Sequence, residues 1–214
     1  MEKINSELEA FVTNYTTPYY NKNESGHSFS HIDYVVKRSF KFAEKIDDIN
    51  INMVYTIAMF HDVAHHIDKK THEKLSAEIL RNCKGLSDFF SDEEIEIMAQ
   101  AIEDHRASLD HAPRTIYGKI VSTADRNNTI EQCFFRSYSF SKKANPNLTE
   151  NEVFEEAYKH LNNKFGVNGY AKVYLKDEEY DNFLIEIQKL LSDKQTFIKE
   201  HKKYIEESKK EGKI

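Results

Sequence analysis

The most apolar stretch of the chain ends in a histidine and an aspartate. Residues 52–66 carry Val54, Ile57, Ala58, Met59, Phe60 and Val63 on most faces. A helix of that kind belongs in the middle of a bundle. His61 and Asp62 then fall where the pattern calls for interior. A carboxylate is rarely buried unless it is paired or holds a metal, because desolvation penalises its charge. The surrounding chain must therefore fold as a bundle that supplies partners to this pair.

The rest of the sequence supports helices. Six Gly and three Pro among 214 residues leave few breakers. Ile32, Val35, Val36, Phe40 and Ala43 keep the three-and-four spacing of an amphipathic helix. Residues 71–81 read as a short helix ending near Gly85. Ser91 with Glu94, and Thr149 with Glu152, are capping-box signatures. Between them, after Pro113, a helix is expected from Thr115 to about Phe135. Residues 141–148 read as a loop, and Gly166 is placed to stop the helix that Thr149 opens. Residues 167–174 are ambiguous between a turn and a short extended piece, and 177–209 read as one or two helices. The expectation is one all-α domain over 1–214, with its core at about 26–133 and the C-terminal helices 149–209 packed on it.

Charge excludes some partners. Thirty basic against thirty-six acidic residues give a formal net charge of −6, and no basic face for duplex nucleic acid is visible. An anionic substrate would need a local source of positive charge, and a metal ion supplies one. Cys83 and Cys133 match no metal or redox spacing and suit a reducing compartment. The polar, acidic N-terminus is no secretory signal, and no apolar run approaches the ~18 residues of a membrane span. A cytoplasmic location without membrane attachment is expected.

His31 begins the helix before the His61-Asp62 pair, and Asp125 lies on a later one, so three helices can converge on one point. Two imidazoles and two carboxylates suit a first-row divalent ion. Octahedral geometry would leave two positions for water and substrate. A core histidine hydrogen-bonded to an aspartate would satisfy both groups without an ion, and the pair by itself leaves that alternative open.

The ordered set His31, then MFHDVAHH around His61 and Asp62, then KIVSTADRNN around Asp125, resembles the HD-domain superfamily of metal-dependent phosphohydrolases. GHSFSHIDYVV is similar to that superfamily's first helix, and GKIVSTADR to the helix bearing its last ligand. The resemblance spans roughly 26–133. It implies an all-α bundle with the metal site at its centre and His31, His61, Asp62 and Asp125 as ligands. It implies hydrolysis of a small phosphate ester, nucleotide-like in many members, by attack of a metal-bound water, as a phosphomonoesterase or phosphodiesterase.

The same resemblance suggests further roles. HDxxH is similar to deoxynucleotide triphosphohydrolase members, so His65 is a candidate general acid beside Asp62, or else a helix cap. His27 is a candidate for the pocket wall. Arg106, Lys119 and Arg126 are candidate phosphate contacts. His72 and His105 lie where binuclear members place further ligands, but Asp104 stands where such members carry a second histidine. One ion (manganese, iron, nickel, cobalt, zinc or magnesium) is therefore favoured over two. Alternatives are a di-iron oxygenase of the same fold and a non-catalytic regulatory or binding module that keeps the metal. The expected partner is a small phosphorylated molecule, and formation of a homo-oligomer is left open.

Overall fold

The computed structural model describes residues 3–23, 29–126 and 129–212. These residues form helices joined by turns, with no strand among them. The all-α expectation holds, and residues 167–174 supply turns and irregular backbone rather than an extended piece. The chain divides into two compact units, Met1–Arg126 with Val173–Lys176, and Asn127–Lys172 with Asp177–Ile214.

The first unit holds α1 (Ser6–Tyr20), α2 (Phe29–Ala43), α3 (Ile51–Phe60), α4 (His72–Arg81), a 3-10 turn (Lys84–Asp88), α5 (Asp92–Glu103) and α6 (Ile116–Ala124). The central helix is α3: residues 53–60 are all buried, as its all-round apolarity requires. Ile57 and Phe60 are fully buried, each contributing ~1.5–3 kcal/mol. Asn50 starts α3 by accepting from the backbone N–H groups of Asn52 and Met53. Around it, α2 packs on α3 and α6, and α5 on α3, α4 and α6. Helix α6 approaches α5 closely at Gly118, where a Cβ would lie 3.0 Å from Pro113 Cβ and 3.4 Å from Ala101 Cα. The capping box at Ser91 and Glu94 is formed.

Two boundaries differ from expectation. The helix expected over 52–66 stops at Phe60, and 61–67 form tight turns with three-residue hydrogen bonds, among them His65 N–H to Asp62 C=O at 3.0 Å. The helix expected from Thr115 to Phe135 is two helices. Arg126 N–H bonds back to Thr123 C=O at the end of α6, and Thr129 caps a new start by accepting from Gln132 N–H. In both places an i−3 bond tightens the last turn, which apolar spacing does not register.

The second unit holds α7 (Ile130–Ala144), α8 (Glu150–Phe165), α9 (Glu178–Leu191) and α10 (Lys194–Lys210). Helix α7 thus extends into the stretch read as a loop. The Thr149–Glu152 capping box opens α8 and Gly166 ends it. Residues 177–209 are two helices, because Asp193 caps α10 by accepting from Gln195 and Thr196 N–H. The core includes Tyr138, Val153, Phe154 and Ile205. His201 is also fully buried there, stacked on Phe134 at 4.5 Å and meeting Phe154 and Phe197 edge-on.

Candidate metal centre

The turn after α3 carries His61 and Asp62 into the middle of the first unit, 0% and 2% exposed. His31, on the first turn of α2, and Asp125, capping the end of α6, meet them there. His31 Nε2 lies 3.2 Å from Asp125 Oδ1 and 3.7 Å from Asp62 Oδ2. His61 Nε2 lies 3.5 Å from Asp62 Oδ2 and 3.9 Å from Asp125 Oδ1. Ligand bonds of ~2.1 Å place neighbouring donors roughly 3.0–3.4 Å apart in octahedral or tetrahedral geometry, close to these separations.

A second group forms on the other oxygen of the same carboxylate. His72, at the start of α4, lies 3.2 Å from Asp62 Oδ1, and His105, just after α5, lies 3.5 Å from it. His72 Nε2 and His105 Nε2 are 3.2 Å apart. The donor atoms of His31, His61 and Asp62 fall within 4.8 Å of one another, as do those of Asp62, His72 and His105.

The histidines share one orienting device. His61 Nδ1 lies 2.7 Å from Ala58 C=O, His72 Nδ1 3.1 Å from Lys69 C=O, and His105 Nδ1 2.7 Å from Ile102 C=O. A carbonyl only accepts, so each Nδ1 carries the proton and donates it three residues back. That tautomer leaves each Nε2 as a lone pair aimed inward. His61 Nε2 is buried and has no hydrogen-bond partner among the described residues. Burial holds its pKa down to about 4, so the ring is neutral and free to ligate. With both Nε2 atoms unprotonated, His72 and His105 would face each other lone pair to lone pair, an arrangement that a cation between them, or a second proton on His72, relieves. Burial works against a charged His72, yet the bond to Asp62 and that carboxylate's charge raise it above the ordinary range. Burial likewise opposes ionised Asp125, but His31, His61 and Arg126 hold its carboxyl well below the usual range. The residues present fit a bound divalent cation.

Other candidates take distinct positions. His65 is buried, its ring 5.1 Å from that of His72. Arg106 is one-third exposed beside the second group, bonded to Glu73 at 3.3 Å and to Lys70 C=O. Arg126 is buried, with Nη2 donating to His105 C=O at 2.9 Å and to Ser122 Oγ at 3.0 Å, and Nη1 facing Asp125 Oδ2 at 3.3 Å. Lys119 is half-buried on α6, more than a turn before Asp125. His27 lies outside the described residues.

Three residues have supporting contacts that the sequence did not signal. Asn23, after α1, donates to Asp62 C=O and accepts from His66 N–H. Ser122 donates to His105 C=O at 3.0 Å. Asp104 is buried and accepts from both the backbone and the guanidinium of Arg114. The periodic pattern marks all three as ordinary polar positions, since their partners are largely main-chain groups.

The family described as HD domain matches residues 28–128, which contain every histidine and aspartate of both groups. Residues 28–128 are an HD domain. A crystal structure of a predicted HD superfamily hydrolase from an uncultured Thermotogales bacterium is similar at 18% identity. That match covers 71% of this chain and 86% of that one, with a TM-score of 0.49. No curated protein matches the chain. HD domains bind divalent metals, and the two His/Asp groups of this HD domain could hold such ions. No helix among the described residues is long and apolar enough to cross a membrane.

Proposed function

We propose that the chain is a metal-dependent phosphohydrolase acting on a small, nucleotide-like phosphate ester, with two divalent ions sharing Asp62. One observation carries the reading: His72 and His105 meet at 3.2 Å over Asp62 Oδ1 with both Nδ1 protons committed to carbonyls. Nothing but a cation or an extra proton makes two lone pairs comfortable at that distance. Asp62 Oδ2 faces the first group at the same time, which supports a reading in which the one carboxylate would serve both groups. This differs from the single ion favoured by the sequence: Asp104 replaces a second histidine, but His72 from α4 completes the group instead.

Divalent ions bound there supply Lewis acidity to a phosphoryl oxygen and acidify water. The chain's own groups do the rest. His65, beside His72, donates a proton to the leaving oxygen. Arg106 offers its partly exposed guanidinium to the phosphate, and Lys119 adds positive charge from α6. Substrates are recognised by the phosphate ester rather than by a duplex surface, consistent with the acidic net charge.

The test is a panel of phosphomonoesters, phosphodiesters and nucleotides assayed with added manganese, cobalt, nickel, iron, zinc or magnesium, beside elemental analysis. Metal-stimulated phosphate release from at least one ester is expected. Metal-loaded protein that releases none, while an iron-loaded sample consumes oxygen with an organic substrate, would favour the di-iron oxygenase reading, which the same nitrogen and oxygen donors also suit. Metal-loaded protein inert in both assays would leave the non-catalytic module.

A further inference from the structure

Arg126 does not present its guanidinium to solvent, where a phosphate would meet it. It is 4% exposed and contacts both Asp125 and the main chain of His105. Its Nη1 faces Oδ2 of Asp125, whose Oδ1 lies 3.2 Å from Nε2 of His31 in the first group. Its Nη2 donates to the main-chain carbonyl of His105, which belongs to the second. Ser122 closes a triangle by accepting from that Nη2 and donating to the same carbonyl. The ends of α5 and α6 are thereby fastened together at the residues that carry the ligands. From the other side, Arg114 grips Asp104 through its backbone N–H at 2.7 Å and its guanidinium at 2.9 Å. The His105 peptide therefore has little freedom except by moving with Arg126.

We infer that Arg126 is a positioning residue that links the two ion sites: a displacement of Asp125 on binding one ion is transmitted through the guanidinium to His105. The inference rests on the two-ion reading above. It assigns Arg126 to the ligand scaffold rather than to the substrate. Asp62 also connects the groups, but through a ligand atom. Arg126 connects them without contacting either ion, so its contribution is separable by mutation. A partner of this type behind a ligand alters metal affinity by ~10–100-fold.

The experiment is a calorimetric titration of the metal-free full chain with Mn²⁺, resolving two affinities, for wild type, Arg126→Met, Arg126→Lys and Ser122→Ala. Arg126→Met should weaken both sites by ~10–100-fold. Ser122→Ala leaves the Asp125 contact in place and should weaken only the site that needs His105. Arg126→Lys, which keeps the charge but not the fork, should recover part of the first affinity and less of the second. Helical circular dichroism well below the unfolding transition separates lost affinity from lost fold. If Arg126→Met does not fold, Ser122→Ala decides alone, and an unchanged second affinity overturns the inference. Two wild-type affinities that survive Arg126→Met overturn it as well, leaving the two-ion reading intact. A wild type that takes up fewer than two ions removes the reading itself.

Discussion

Asn23 donates its side-chain N–H to the main-chain carbonyl of Asp62 at 3.0 Å, while its Oδ1 accepts from His66 N–H at 2.9 Å. The residue that holds both ends of the His61-Asp62 turn thus lies outside the stretch that matches the family. Without it the turn keeps its donors but loses its anchor. Asn23→Ala is expected to lower stability by about 1–2 kcal/mol, since a part-buried carbonyl is left unpaired. Metal affinity should fall alongside. Urea unfolding with and without metal checks both; a variant equal to wild type on the two measures would show that the anchor is dispensable.

Removal of single ligands should separate the sites. Asp62→Asn withdraws a charge from both groups and is expected to leave the protein nearly empty. His31→Ala and His105→Ala should each cost one ion. Elemental analysis of the three purified variants gives the pattern directly. Equal losses in all three would contradict a bridging carboxylate.

Metal should also stabilise the fold, because the donors of each group converge only in the native state. At a free concentration one hundred times the dissociation constant, one bound ion adds about 2.7 kcal/mol. For a unit of this size the Tm of metal-loaded protein should exceed that of chelator-treated protein by on the order of 10 °C. Differential scanning calorimetry reads the shift. Asp62→Asn should abolish it.

His201 predicts a pH dependence in the second unit. Burial holds its pKa down to about 4, against the usual 6.5, with the bond to Phe134 C=O working weakly the other way. The unfolded chain therefore binds a proton between pH 6.5 and 4 that the folded chain refuses. Stability contributed above pH 6.5 is lost as pH falls through that window, amounting to about 3 kcal/mol by pH 4. His201→Leu should be less stable at neutral pH, for want of the hydrogen bond, yet flatter in its acid dependence. Metal-free urea unfolding at pH 7, 5.5 and 4.5 tests this, and an unchanged slope in the variant would place the titration elsewhere.

The sequence carried the helices and the polar residues at their core-facing positions, because burial leaves a periodic trace. Ser91 with Glu94 and Thr149 with Glu152 were readable as starts because a capping box is a local pattern. The stops were harder. Nothing in the spacing of Val63 or Phe135 reports that the backbone tightens at Phe60 or turns at Asp125, since both breaks arise from i−3 bonds between main-chain groups. His31, His61, Asp62 and Asp125 were legible as candidate ligands, as were His72 and His105. Their separations were not, because the pairing of α4 with α5 that brings His72 to 3.2 Å from His105 is tertiary. For the same reason Arg126 reads in sequence as a phosphate contact, although its side chain turns inward.

The acceptors that orient His61, His72 and His105 are the carbonyls of Ala58, Lys69 and Ile102, and a carbonyl is present whatever side chain its residue carries. Replacement at 58, 69 or 102 therefore leaves the three rings aimed as they are, provided the helix ends persist. Lys69 is exposed and the other two are packed, so charge can be varied at one position and volume at the others. The geometry of the donors is insulated from drift at these sites. Divergent descendants of this chain could change what surrounds the centre long before they lost the centre itself.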